Sequence, residues 1–381
     1  MQIAIFDYKV VPTNAIGSCH LKILHSLCHE HDFTVFSVES ENPCPERVRF
    51  VRVPAPTRPL ALLFLAYHLM APLVYLYHKV RTGVQFDLIQ TVESNLSFGH
   101  LAYAHFCHRA YLRDQWPQVK SKGIRGWLRW YNHRLHALVE PWIYRRVKWI
   151  VVPSEGLRRE LEAEYPFLRG KINVIANSVD TKRLQKPNTF DRETMRQSLG
   201  IAVQDFAIAF VALGNFEHKG LALLLEAQQH LENTQLIVVG GEHDVVSAWQ
   251  RRVKAMKLDD KVRFLGMQRD IRPFLWAADA FVLASASETF SLVTFQAAAA
   301  GLPLVVTPLH GVEEFMRDGE TGYIVQRSVE HLTATLNRLL AMSQLERAQM
   351  GENAQLAVQA FSVDAFVERW RGFYHEKLES T

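Results

Sequence analysis

Cysteine is scarce in this chain: four residues in 381 (Cys19, Cys28, Cys44, Cys107), none in a C-x-x-C pair and none in a His/Cys run with zinc spacing. That excludes a disulfide-stapled secreted module and reads as the reduced thiols of a cytoplasmic protein. With 19 glycines and 15 prolines the chain is neither collagen-like nor of low complexity, and 48% hydrophobic against 22% charged residues excludes wholesale disorder. The N-terminus, MQIAIF, lacks a basic n-region and a cleavage site and runs straight into a strand-like pattern, so no secretory signal is expected. A net charge of +4 is too small to argue for nucleic acid.

What is present is unevenly distributed. Residues 1–176 carry 22 Lys and Arg against 14 Asp and Glu, and the remainder 21 against 25. The basic half suits an anionic partner or surface. Its most basic stretch starts at Ser121 and ends at Trp149, where Arg125, Arg129, Arg134, Arg145, Arg146 and Lys148 face one acid, Glu140. Trp127, Leu128, Tyr131, Leu135, Leu138 and Trp142 recur there at helical spacing. Such a helix fits an anionic bilayer surface, and equally an ordinary helix with a solvated cationic face. A second run, from Leu60 to Tyr77, is apolar except for His68 and Pro72. At 18 residues it is at the lower limit for a membrane span, and the two interruptions favour a buried helix.

Short β-branched runs alternate with helical patterns throughout. Strands are expected at 2–6, 33–38, 48–53, 87–92, 100–105, 149–153 and 172–176, then at 206–213, 236–239, 262–265, 280–284, 304–307 and 323–325. This is the signature of parallel sheets covered by helices, here as two Rossmann-like arrays. The polar segment 177–191 marks the joint. The expected division is an N-terminal domain over 1–177, with a C-terminal helix at 362–381 packing back on it, and a second domain over 178–361. In open α/β sheets ligands bind beyond the carboxyl ends of the strands, so the loops there are where chemistry is sought.

Two of those loops are unusual. Residues 213–220, LGNFEHKG, lie between a strand and an apolar helix; Gly214 permits a tight turn, and His218 and Lys219 sit just before a helix N-terminus, where an anion such as a diphosphate is favoured. The Walker spacing is absent, and a surface loop with an exposed lysine is the plain alternative. Residues 287–303, SETFSLVTFQAAAAGLP, place Glu288 in a loop, start a helix near Leu292, and put Gln296 about one turn in. The N–H groups of Phe290, Ser291 and Leu292 would point outward from that helix start. The plain alternative is a capping acid and a buried amide.

Together these residues resemble the retaining family-four glycosyltransferases of GT-B fold. Their E-x7-E followed by A-x-A-x-G-x-P is matched by Glu288, Gln296 and then Ala297, Ala299, Gly301 and Pro303. The loop GNFEHKG at 214–220 is similar to the G-x-x-F-x-x-K-G of the lipopolysaccharide-core branch, and NSVD at 177–180 to that family's N-G-V-D. The resemblance implies two Rossmann-like domains whose parallel sheets face each other across a cleft. It implies Lys219, helped by His218, on the donor diphosphate, and Glu288 on the sugar hydroxyls. The backbone at Phe290, Ser291 and Leu292 would meet sugar and phosphate oxygens, Gln296 the ribose, and the backbone near Met267 the base. His105 would contact the sugar from the first domain, and Gly17, in the loop after the first strand, would be the remnant of paired glycines at the phosphate. Two departures stand out: the second acid is Gln296, and the basic residue expected after Gly214 is Asn215.

The reading is therefore a retaining hexosyltransferase with catalytic residues Glu288, Lys219 and His105, taking a nucleoside-diphosphate sugar as donor and a lipid-linked or glycan acceptor. No D-x-D motif occurs, so neither a metal nor another cofactor is expected, and no nucleic acid. The place expected for it is the cytoplasm, peripheral on the inner face of the cytoplasmic membrane. Gln296 and Asn215 motivate one alternative, a nucleotide-sugar-binding subunit that modulates a partner enzyme.

Overall fold

The structure, a computed structural model, describes residues 1–119 and 123–379. Residues 121 and 122, which open the basic stretch, lie outside the described residues. The chain divides into two compact units: unit 1 is 1–178 plus 363–381, and unit 2 is 179–362.

Unit 1 is built on strands β1 (Gln2–Phe6), β2 (Asp32–Ser37), β3 (Val48–Arg52), β4 (Leu88–Val92), β5 (Leu101–Tyr103), β6 (Trp149–Val152) and β7 (Ile172–Val174). All pair in parallel in the order β3-β2-β1-β4-β5-β6-β7. Strands such as β4 are buried at every position, as a sheet covered on both faces requires. Helix α1 (Ala15–Leu27) follows β1, capped by the Asn14 side chain accepting from the Gly17 N–H at 2.8 Å. The C-terminal helix Val363–Glu379 completes this core: Phe366, Trp370 and Tyr374 are fully buried, and the Tyr374 hydroxyl donates to Gln90 at 2.8 Å.

Helix α2 (Leu60–Thr82) corrects the expectation of a buried core helix. One face, with Leu63, Phe64, Tyr67, Ala71 and His78, packs inward. The other exposes Leu62, Leu65, Leu69, Leu73, Leu76 and Val80, a stripe at helical spacing. Only 28% of its most apolar 18-residue window is buried. Helix α3 (Gly123–Arg146) packs beside α2 and exposes Ile124, Trp127, Leu138 and Trp142 together with Arg129, Arg134, Arg145 and Arg146. Glu140, the acid expected to offset these charges, is fully buried instead, accepting from the His108 N–H (2.9 Å) and the Tyr165 hydroxyl (2.7 Å). Burial pushes its carboxyl up to about 7. It neutralises nothing on the surface.

Unit 2 repeats the architecture. Strands β8 (Phe206–Val211), β9 (Thr234–Val239), β10 (Val262–Gly266), β11 (Ala280–Leu283), β12 (Leu304–Val306) and β13 (Gly322–Ile324) are parallel in the order β10-β9-β8-β11-β12-β13. Both units thus carry the doubly wound 3-2-1-4-5-6 order, unit 1 with one strand more. The order reverses between β8 and β11, with Ile208 opposite Ala280 and Ala209 opposite Phe281. This reversal is where the loops after two neighbouring strands part to opposite faces and leave a ligand crevice.

Candidate functional site

The loops 213–220 and 285–291 follow β8 and β11, so the switch point of unit 2 brings side by side two motifs that are 69 residues apart. Helix α4 (Leu221–Gln228) starts directly after the first loop and α5 (Leu292–Ala299) after the second. Lys219 Nζ is ion-paired and hydrogen-bonded to Glu288 Oε1, the two side chains 25% and 14% exposed. They are covered enough to strengthen the pairing and open enough to meet a ligand.

Glycine is needed here at 220, not at 214. Gly220 has φ +86°, and a Cβ on it would lie 2.2 Å from the Ala284 carbonyl oxygen. Only the bare backbone lets the first loop press against the end of β11. Gly214 has ordinary φ, and its Cβ would meet nothing within 4 Å; the left-handed residue in this tight turn is Asn215 at φ +52°. Asparagine tolerates this conformation better than most residues.

His218 departs from its expected role as a partly charged phosphate ligand. Its Nε2 lies 3.1 Å from the Ser287 carbonyl oxygen, which can only accept, so Nε2 carries the proton. Burial lowers its pKa, and Nδ1 is buried without a partner. A neutral His218 ties the Glu288 loop to the Lys219 loop, together with an Ala286 N–H to His218 carbonyl bond at 2.9 Å.

Sequence reasoning missed one cation. Arg327, just past β13, donates to the Ala284 carbonyl (3.1 Å) and the Glu217 carbonyl (3.2 Å) and so clips both loops from a third. Its signal in the sequence was an arginine just past the carboxyl end of another strand of the same sheet.

At the start of α5 the Leu292 N–H turns back to the Phe290 carbonyl at 2.9 Å, so it does not point outward as expected. Among the described residues the N–H groups of Phe290 and Ser291 have no such acceptor. The Phe290 ring is structural: it stacks on Phe295 at 4.3 Å over Gly311, whose Cβ would lie 2.8 Å from it. The half-buried Gln296 side chain makes no hydrogen bond among the described residues. Met267 is 54% exposed beyond β10, at the same end of the sheet but two strands from β8, roughly 10 Å away. A hollow of about 510 Å³ lined by Gln250, Lys254, Asp259 and Arg263 includes none of these residues.

In unit 1, His105 lies beyond β5, which is shorter than expected. Its Nε2 is 3.1 Å from Asn177 Oδ1, which also accepts from the Tyr103 hydroxyl at 2.8 Å. Burial holds the His105 pKa down at about 4, and its Nδ1 has no partner. His105 is therefore neutral at neutral pH, donating through Nε2 to Asn177 and leaving the Nδ1 lone pair unused. Gly17 is not in the loop after β1 but in the first turn of α1. It is buried, its N–H is taken by Asn14, and its Cβ would lie 2.1 Å from the Lys9 carbonyl oxygen. Close backbone packing accounts for this glycine.

The comparisons with known proteins agree with this arrangement. The family described as Glycosyltransferase Family 4 matches residues 23–183, and Glycosyl transferases group 1 matches residues 207–342. The chain belongs to the family-four glycosyltransferases of GT-B fold. It is 30% identical over 202 residues to the lipopolysaccharide core biosynthesis glycosyltransferase LpsE of Rhizobium meliloti (strain 1021), covering 52% of this chain and 56% of LpsE. The chain spans little more than half the length of such curated relatives in these matches. Its fold is that of WaaG, a glycosyltransferase involved in lipopolysaccharide biosynthesis (TM-score 0.74, 19% identity, 96% of this chain and 98% of that one). It is equally that of Anabaena HepE in complex with UDP-glucose (TM-score 0.73, 20% identity, 100% of each chain).

Proposed function

We propose that this protein transfers a hexose, with retention at the anomeric carbon, from a nucleoside-diphosphate sugar to a lipid-linked or cell-surface polysaccharide acceptor. The observation that carries the reading is the Lys219–Glu288 pair at the switch point of unit 2. Breaking the glycosyl–phosphate bond leaves negative charge on the diphosphate, and preorganised cations and N–H donors stabilise that charge most where water is excluded. Lys219 swings from Glu288 to the diphosphate, the Phe290 and Ser291 N–H groups meet its oxygens, and Arg327 adds positive potential behind them. Glu288, released from Lys219, accepts from sugar hydroxyls, and Gln296 holds the ribose hydroxyls as an amide. With these groups on the diphosphate, the transfer needs no bridging metal there. Glu288 is paired with a lysine rather than with the second carboxylate that glycoside hydrolases use, which favours front-face transfer assisted by the leaving diphosphate. HepE was solved with UDP-glucose, and LpsE is named for lipopolysaccharide core biosynthesis; both support a sugar nucleotide and a surface-glycan acceptor.

The acceptor class agrees with the surface of unit 1. The apolar stripe of α2 and the exposed tryptophans and arginines of the adjacent α3 are side chains suited to an anionic bilayer. We place the protein in the cytoplasm, on the inner face of the cytoplasmic membrane. The reading is tested by incubating the protein with UDP-, GDP- and ADP-sugars and measuring both melting temperature and donor hydrolysis. A ligand that binds only the folded chain raises its stability. One donor is expected to raise the melting temperature and to be turned over; no response to any of them refutes the proposal.

A further inference from the structure

We propose that Glu93, His108 and His136 form a binding site in unit 1 for a divalent transition-metal ion of the zinc class. Three elements supply them: Glu93 follows β4 at its carboxyl end, His108 opens a helical turn after β5, and His136 projects from α3. Their ligand atoms all lie within 4.8 Å of one another. His108 Nε2 is 3.5 Å from Glu93 Oε2. That is long for a hydrogen bond, but close to the ~3.3 Å that separates two ligands each about 2.05 Å from a tetrahedral ion.

The outer nitrogens of both imidazoles are already committed. His136 Nδ1 is 2.9 Å from Ser94 Oγ, and His108 Nδ1 is 2.9 Å from His133 Nδ1. With His108 donating to His133 and His136 to Ser94, both Nε2 lone pairs are free. A second hydrogen bond that fixes the tautomer and turns the other nitrogen inward is the support metal-binding histidines use. An inward lone pair facing a carboxylate repels it unless a proton or a metal cation lies between them. No lysine or arginine supplies one: among the described residues His108 is the recorded ion-pair partner of Glu93.

The surroundings agree. His108 and His136 are 5% and 4% exposed. Glu93 also has φ +48°, a left-handed conformation that is unfavourable in a non-glycine residue and concentrates where function maintains it. Two imidazoles and one carboxylate suit zinc or its neighbours rather than magnesium or calcium, and three protein ligands leave a fourth position open to water or a hydroxyl. The site is in the other unit from Lys219 and Glu288, so it does not rest on the donor reading.

The test uses the full chain, stripped with a chelator, dialysed and titrated with Co²⁺ and then Zn²⁺. Expected are the visible absorption bands of a tetrahedral Co²⁺ centre, their loss on adding Zn²⁺, and Zn²⁺ retained against a chromophoric chelator. His136→Ala and Glu93→Gln should each weaken Zn²⁺ binding at least ~100-fold, and His133→Phe, which removes only the outer hydrogen bond, about 10–100-fold. Cys28→Ser and His375→Ala, in two other groups able to approach a metal, should change nothing. Circular dichroism checks the fold of each variant, and the nearly isosteric Glu93→Gln decides should His136→Ala fail to fold. Absence of Co²⁺ bands in the folded wild-type chain overturns the proposal. So does wild-type affinity in Glu93→Gln, or binding that is lost with Cys28→Ser or His375→Ala instead.

Discussion

Substituting Gly220 by alanine separates what the fold requires of the first loop from what a ligand requires. At φ +86° an L-residue costs about 1–2 kcal/mol. The new Cβ would sit 2.2 Å from the Ala284 carbonyl oxygen and 2.7 Å from its carbon, so the loop and the end of β11 must part by about 1 Å. Overpacking of this kind costs a further ~1–3 kcal/mol. At about 2–4 °C per kcal/mol for a domain of this size, the melting transition of unit 2 should fall by roughly 5–15 °C. The same displacement carries Lys219 away from Glu288, and a 1 Å misplacement costs turnover about 100-fold. Gly214→Ala is the counterpart. With ordinary φ and open space around its Cβ, it should keep the melting temperature within about 2 °C. If a donor phosphate approaches that backbone, the same variant still weakens the donor-induced rise in melting temperature. Differential scanning calorimetry of both variants, with and without donor, measures the melting temperatures and the donor-induced rise, and a donor-turnover assay measures the loss of activity in Gly220→Ala. Equal melting of Gly220→Ala and wild type, or Gly214→Ala melting as low as Gly220→Ala, would refute the assignment of the close contact to residue 220.

Lys219→Ala and Glu288→Ala should each lower kcat by about 100- to 1000-fold with melting temperatures close to wild type, because each removes one preorganised charge from a partly open site; full turnover in both removes the site. Gln296→Glu restores charge assistance to the ribose hydrogen bonds and should tighten donor binding by about tenfold at unchanged kcat; a large rise in kcat instead would mark the natural amide as crippling. Leu69→Asp combined with Leu73→Asp, both on the exposed face of α2, should leave folding intact. Losing two leucines from the bilayer, each contributing about 1.5–3 kcal/mol, should weaken sedimentation with anionic vesicles at least 100-fold. Unchanged binding would move the contact off α2.

The fold was legible because parallel strands buried on both faces read as short apolar runs, and because the start of α5 at Leu292 is signalled by the polar SETFS before it. The relations between loops were not. Lys219 and Glu288 meet because β8 and β11 are neighbours, and strand order is a property of the assembled sheet. Arg327 joins them from a third loop for the same reason. Glu93, His108 and His136 carry no metal-binding spacing; β4, β5 and α3 converge, and only then do three unremarkable residues face one another. Local chemistry misled in two instructive places. His218 beside a lysine suggested charge, yet burial lowers its pKa, and its Nε2–H is spent on the Ser287 carbonyl rather than on a phosphate. Helix α2 is apolar on both faces, so periodicity offered no contrast between the leucines that pack inward and those at 62, 65, 69, 73 and 76 that face out. An exposed stripe as apolar as the core behind it costs solubility and contributes nothing to packing. Its direct neighbour α3 exposes arginine and tryptophan, and on that pairing of apolar and cationic side chains the proposed contact with anionic headgroups rests.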